Sequence, residues 1–185
     1  IFSKSRESSQ YWAVFHREVV DTNRKYLQLN TQNALATSGG DMWGAALPTS
    51  SVIGLSSANA MVASQDFVCY CFSEVAGYSK HGSYTGNGST DGTFVFTGFR
   101  PAWVMVRRTN SSAYWVIHDS KRDPINPSDA DLYSNTGGSE VTTVRHDFLS
   151  NGFKLRSSTV YVNANNSTYV YLAFAEAPFK NARAR

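Results

Sequence analysis

Short apolar blocks of four to eight residues alternate with Gly, Ser, Asn, Thr and Asp along almost the whole chain. The i, i+3, i+4 recurrence of an amphipathic helix is nearly absent. The pattern predicts strands near Tyr11 to His16, Lys25 to Asn30, Ser51 to Leu55, Phe67 to Val75, Thr93 to Phe99, Trp103 to Arg108, Tyr114 to His118, Gly152 to Ser157 and Thr168 to Ala175. One weak helical stretch covers Thr31 to Ala36. The expected class is all-β.

The blocks also repeat. Ile1-Phe2-Ser3-Lys4-Ser5-Arg6 followed by Tyr11-Trp12-Ala13-Val14-Phe15-His16 is similar to Val104-Met105-Val106-Arg107-Arg108-Thr109 followed by Tyr114-Trp115-Val116-Ile117-His118-Asp119, an offset of 115 − 12 = 103. Phe67-Val68-Cys69-Tyr70-Cys71-Phe72-Ser73-Glu74 is similar to Tyr169-Val170-Tyr171-Leu172-Ala173-Phe174-Ala175-Glu176, an offset of 176 − 74 = 102. Weaker echoes link Tyr26-Leu27 and Asn30-Thr31 to Leu132-Tyr133 and Asn135-Thr136, and Leu55-Ser56-Ser57 to Leu155-Arg156-Ser157. Two ordered matches at nearly one offset predict an antiparallel β-sandwich, jelly-roll or lectin-like, built from two tandem copies of one β unit. Each copy opens on a hairpin-like strand pair and closes on a strand apolar on both faces, as a buried strand is.

The expected boundaries are a first unit over 1–76, a Gly-rich connecting hairpin over 77–102 and a second unit over 103–185, the two units sharing one core. The connector carries Asn-Gly and Asp-Gly steps, which favour tight turns, and five aromatic side chains to bury. Gly98-Phe99-Arg100-Pro101-Ala102-Trp103 introduces the second unit, whereas the first starts at Ile1 without such a lead-in. The chain therefore reads as part of a longer or processed polypeptide, with an upstream Pro-x-Trp-like or Pro-x-apolar segment expected.

Composition narrows the function classes. The 185 residues are 42% hydrophobic, 14% aromatic and 17% charged, too apolar for a disordered chain. No apolar run approaches the roughly 20 residues of a membrane-spanning helix, so no membrane insertion is expected. The net charge of +3 is scattered apart from the basic tail Lys180 to Arg185, which argues against nucleic acid as a partner. Cys69 and Cys71 would share one strand face about 6.5–7 Å apart, at or past the reach of a disulfide, and read as core thiols.

Candidate chemistry is thin. His16 and His118 fall on opposite strand faces, while His81 and His146 sit in polar contexts and read as solvated. Glu74 and Glu176 are equivalent by repeat and read as capping or pairing residues rather than a glycosidase pair. No P-loop, nucleophile elbow, zinc signature or dinucleotide fingerprint is present, so the reading is non-enzymatic, with no catalytic residue, no metal and no cofactor. The candidate ligand-binding residues are Trp43, alone in a Gly-Gly-Asp-Met-Trp-Gly loop and expected to be exposed, and the loop oxygens of Asp123, Asn126 and Asp129. The wider segment Asp119 to Asp131 is oxygen-rich enough to suggest Ca²⁺, but it lacks EF-hand spacing and includes Lys121 and Arg122. Trp12 and Trp115 read as repeated core residues.

Four segments resemble a module of virion proteins of marine bacteriophages, tail-fibre or appendage proteins among them: Phe72 to Gly92, Thr97 to Arg108, Asp147 to Ser157 and Ala173 to Lys180. Residues 1 to 30 match more loosely as the preceding repeat. The resemblance implies an extracellular virion β-sandwich that takes part in host-surface attachment. It also implies other virion proteins as partners, a homo-oligomer with a trimer favoured, and a host surface glycan as a possible receptor. The other classes are a purely structural assembly or decoration domain and a lectin-like glycan-binding or hydrolase domain.

Overall fold

The computed structural model describes residues 1–56 and 64–177, which form thirteen strands and no helix. The basic tail and Ser57 lie outside the described residues. The chain divides into two compact units, Ile1–Phe72 and Ser73–Arg185.

The first unit is one antiparallel sheet of β1 (Phe2–Ser5), β2 (Ala13–Val14), β3 (Lys25–Gln28), β4 (Ala36–Thr37) and β5 (Phe67–Tyr70), in the order β4-β3-β2-β1-β5. Its apolar cluster centres on Ala13, Val20, Met42 and Trp43, with Tyr11, Phe15, Tyr26, Leu35, Leu47, Ile53 and Phe67 packed around them. Tyr11 stacks on Tyr26 at 5.2 Å, and Phe15 meets Trp43 edge-on at 5.5 Å.

The second unit holds two sheets. Strands β6 (Ser79–Thr85), β8 (Pro101–Arg108), β9 (Trp115–Asp119), β10 (Leu132–Tyr133) and β13 (Thr168–Ala175) form the larger, ordered β10-β9-β8-β13-β6. Strands β7 (Phe94–Phe96), β11 (His146–Leu149) and β12 (Gly152–Leu155) form the smaller, ordered β11-β12-β7. Inward side chains alternate along each strand, so Val104, Val106, Val116, Tyr169, Tyr171 and Ala173 of the large sheet meet Val95, Phe148, Phe153 and Leu155 of the small one in a single buried cluster. This is a β-sandwich. Tyr84 stacks on Tyr169 at 5.1 Å and Phe153 meets Tyr171 edge-on at 5.5 Å, each large ring contributing about 1.5–3 kcal/mol by leaving water. Tyr84 satisfies its hydroxyl by donating to the Val162 carbonyl at 2.7 Å.

Four strands of each unit pair in the same order and the same register. Phe2 faces Val14 and Tyr70 across β2-β1-β5, and Met105 faces Ile117 and Leu172 across β9-β8-β13, at offsets of 105 − 2 = 103, 117 − 14 = 103 and 172 − 70 = 102. Individual bonds recur as well. The Trp12 amide donates to Asn30 Oδ1 and the Trp115 amide to Asn135 Oδ1, both at 3.0 Å. The Arg6 amide donates to the Asp66 carbonyl and the Thr109 amide to the Thr168 carbonyl, both at 2.9 Å. Lys4 Nζ donates to the Gln10 carbonyl, and at the matching position the buried Arg107 guanidinium donates to the Ala113 carbonyl. The third strand pair is offset by 132 − 27 = 105, which aligns Leu27 rather than Tyr26 with Leu132.

Several expectations are corrected. Thr31 to Ala36 is not helical, because Thr31 and Asn33 both bond the Gln28 side chain instead of a helical ladder. Ser51 to Leu55 is not a strand, since Thr49 Oγ1 accepts from the amides of Ser51 and Val52 in a tight turn. The Gly-rich connector is ordered but is not a hairpin: β6 joins the large sheet through β13 and β7 joins the small sheet through β12. The buried apolar residues of each unit form a cluster of their own. Cys69 and Cys71 are free, as expected, but exposed rather than in a core, because β5 is an edge strand.

Candidate functional site

The residues singled out from the sequence belong to the frame. Trp43, expected to be exposed, is fully buried, and its indole N–H donates to the Lys25 carbonyl at 2.8 Å. Two glycines pack closely at its backbone. A Cβ on Gly54 would lie 2.4 Å from the Trp43 carbonyl oxygen, and Gly44 takes φ +79 against Gly54.

The loop from Asp119 to Asp131 is held by its own oxygens. Asp119 accepts from the amides of Lys121 and Arg122, and the Arg122 guanidinium bridges Asp119 and Glu140. Asp123 accepts from the amides of Asp129 and Ala130 at 2.6 and 3.3 Å. Burial alone would raise its carboxyl, but these amide bonds hold it below the usual carboxylate range. Asp129 pairs at 3.6 Å with Arg145.

Asn126 does the work of a strand residue. Its amide nitrogen donates to the Phe148 carbonyl and its Oδ1 accepts from the Phe148 amide, both at 3.0 Å, while Ser128 exchanges two backbone bonds with His146. Together they close the outer edge of β11, the kind of edge that otherwise invites unwanted pairing. The loop tip is Ile125, 75% exposed. Among the described residues no group of three or more His, Cys, Asp or Glu is placed to hold a metal ion.

The titratable cluster that sequence reasoning missed is His118, Asp131 and His146, all buried at 3%, 0% and 2% exposure. His118 Nε2 lies 2.5 Å from Asp131 Oδ1, and Asp131 Oδ2 accepts from the amides of Thr143 and Val144 at 3.0 and 2.8 Å. The His146 ring meets His118 edge-on at 4.1 Å, and burial, with His118 beside it, pushes its pKa well below the ordinary histidine value. Sealed from solvent, the cluster orients loop 131–144 against β9. Its signal in the sequence was faint, because His146 lies in a polar stretch and only strand pairing brings it inward. Glu74 and Glu176 sit in separate ion pairs, with Lys80 and Arg100, each at 3.0 Å.

The exposed chemistry is apolar. On β7 the buried Val95 is flanked by Phe94 and Phe96, 43% and 62% exposed on the outer face of the small sheet. Opposite Phe96 lies Gly152, whose missing side chain leaves room for the Phe94 ring. Two neighbouring phenylalanines on a rigid face form a hydrophobic contact surface, which sequence alternation alone did not distinguish from a two-sided core strand.

Over residues 1–178 the chain matches the family described as a domain of unknown function (DUF7483), and it belongs to that family. No curated protein and no solved structure matches it.

Proposed function

For a member of a family without an assigned activity, we propose a non-enzymatic structural role: an extracellular module of a phage virion, in a tail fibre or similar appendage, that assembles with other virion proteins and serves host-surface attachment. The observation that carries this reading is the pair Phe94 and Phe96, presented to solvent on a sheet whose inner face is locked into the sandwich. Exposed aromatic surface of this kind is what subunit contacts use, which fits a homo-oligomer, and the resemblance to virion modules favours a trimer. The resemblance of Phe72 to Gly92 and of Asp147 to Ser157 to virion modules supports the same class. The sealed His118, Asp131 and His146 cluster adds no reactive centre at the surface.

Sedimentation of the full chain and of the Phe94→Ser, Phe96→Ser double variant tests it. The expected result is a concentration-dependent oligomer that the double variant reduces to monomer without loss of thermal stability. A wild-type chain that stays monomeric at all concentrations sinks the assembly reading.

A second reading is favoured by Ile125. The hydrogen bonds of Asp119, Asp123 and Asn126 preorganise a loop that displays one large apolar residue, suited to direct contact with a host receptor such as a glycan. Binding to host glycans that survives in the Phe94→Ser, Phe96→Ser variant but is lost in Ile125→Ser would assign recognition to this loop.

A further inference from the structure

Strand β5 ends the first unit's sheet and is poorly covered: Tyr70 is 52% exposed, and Cys69 and Cys71 are exposed. Its counterpart β13, at the same register, is buried over Tyr169–Ala173, because β8 flanks it on one side and β6 on the other. Antiparallel alternation fixes which main-chain groups of β5 point outward. The Arg6 amide bonds the Asp66 carbonyl, so Asp66, Val68 and Tyr70 direct their groups to β1, and Phe67 and Cys69 direct theirs away from it. In the second unit the matching Thr109 to Thr168 bond puts Tyr169, Tyr171 and Ala173 against Tyr84, Gly82 and Lys80 of β6. Phe67 and Cys69 hold the places of Tyr169 and Tyr171, and among the described residues no strand pairs with β5 on that side.

We propose that the outer edge of β5 is an acceptor site for one more antiparallel strand, donated by a partner polypeptide with the residue pattern of β6. Along the edge, Phe67-Val68-Cys69-Tyr70-Cys71-Phe72 has neither a charge nor a proline to oppose pairing. The β13–β6 ladder shows the register, with the donor's glycine opposite Cys69 and its tyrosine opposite Phe67. In the second unit a Cβ on Gly82 would lie 2.8 Å from the Tyr171 ring, which would have to shift. Cys69 is much smaller than tyrosine, so the β5 site accepts a larger residue there. The proposal does not depend on the Phe94 and Phe96 face, and the Phe94→Ser, Phe96→Ser variant keeps the acceptor site intact.

The probe is a labelled peptide of the β6 sequence, Gly77 to Gly86, titrated against the full chain, with binding read by anisotropy and by amide exchange. Saturable binding is expected, with slowed exchange at Phe67 and Cys69 and none of that protection in the free chain. Cys69→Pro removes an outward-facing N–H while sparing the bonds to β1, and should weaken binding by about tenfold or more, whereas Cys69→Ala should change it by less than about threefold. To separate edge chemistry from misfolding, N-methylation of the peptide at the Gly82 amide should abolish binding and N-methylation at Ser83 should not. No binding at millimolar peptide, or amides already protected in the free chain, overturns the proposal. A peptide-independent dimer lost in Cys69→Pro also overturns it, by assigning the edge to a second copy of this chain.

Discussion

At the centre of the second unit His146 stays neutral: its ring is buried, it lies against His118 and Phe148, and among the described residues Nε2 has no hydrogen-bond partner. In the unfolded chain the same ring takes a proton near pH 6.5. Its folded pKa is lowered, so the associated stability is fully present above about pH 6.5. It is lost as pH falls below that value, by about 1.4 kcal/mol per pH unit while the folded ring remains neutral. His81, lowered mainly by burial, adds to the loss in the same direction. The carboxylates held below their usual range, Asp119 and Asp123, release their contribution only at lower pH, near and below 4. Urea titrations at pH 6.5 and 5.5 should therefore show His146→Leu losing about 1 kcal/mol less than the parent chain; equal losses would refute the assignment. None of this was readable from His146 in sequence, where its neighbours Arg145 and Asp147 suggest solvent. Asn126 and Asp123 were legible as oxygen donors, but which amides they serve depends on a β11 edge that spacing does not reveal.

Among the strands, those with strong apolar alternation, β8, β9, β12 and β13, were legible because their patterns match the two faces they bury. Strand β6 was hidden, since Ser79-Lys80-His81-Gly82-Ser83 reads as a turn and only seven rungs to β13 make it a strand. The reverse error fell on β5: its run looks buried on both faces, yet burial is conferred by neighbouring strands. Glycines mark where elements come too close for any side chain. At Gly152 a Cβ would sit 2.1 Å from the Val95 carbonyl oxygen and 3.0 Å from the Phe94 ring, both on β7. Backbone must give way there, so Gly152→Ala should cost about 1–3 kcal/mol. The loss should be local: amide exchange should quicken at Val95 and Phe153 more than in β8 or β9. Uniform acceleration throughout the unit would show that β7 is not the element under strain.

For the whole molecule, matching ladder positions are offset by 103 and 102, yet the two units build their buried clusters differently. Similar strands predict similar sheets; they do not predict that one unit covers its inner face with β7, β11 and β12 while the other builds a cluster from loop residues such as Val20, Met42 and Trp43. Two clusters imply two sets of stabilising contacts that can be removed one at a time. Trp43→Ala deletes the largest buried side chain of the first cluster along with its bond to the Lys25 carbonyl, and should cost about 3–5 kcal/mol. Phe153→Ala deletes a ring from the second cluster that touches Tyr84 and Tyr171, with a cost of the same size. If the clusters are energetically separate, Trp43→Ala lowers amide protection in β1, β2 and β3 and spares β8 and β13, and Phe153→Ala does the opposite. Equal loss of protection in both units from either substitution would mean that the chain unfolds as one cooperative body, with the two clusters acting as a single core.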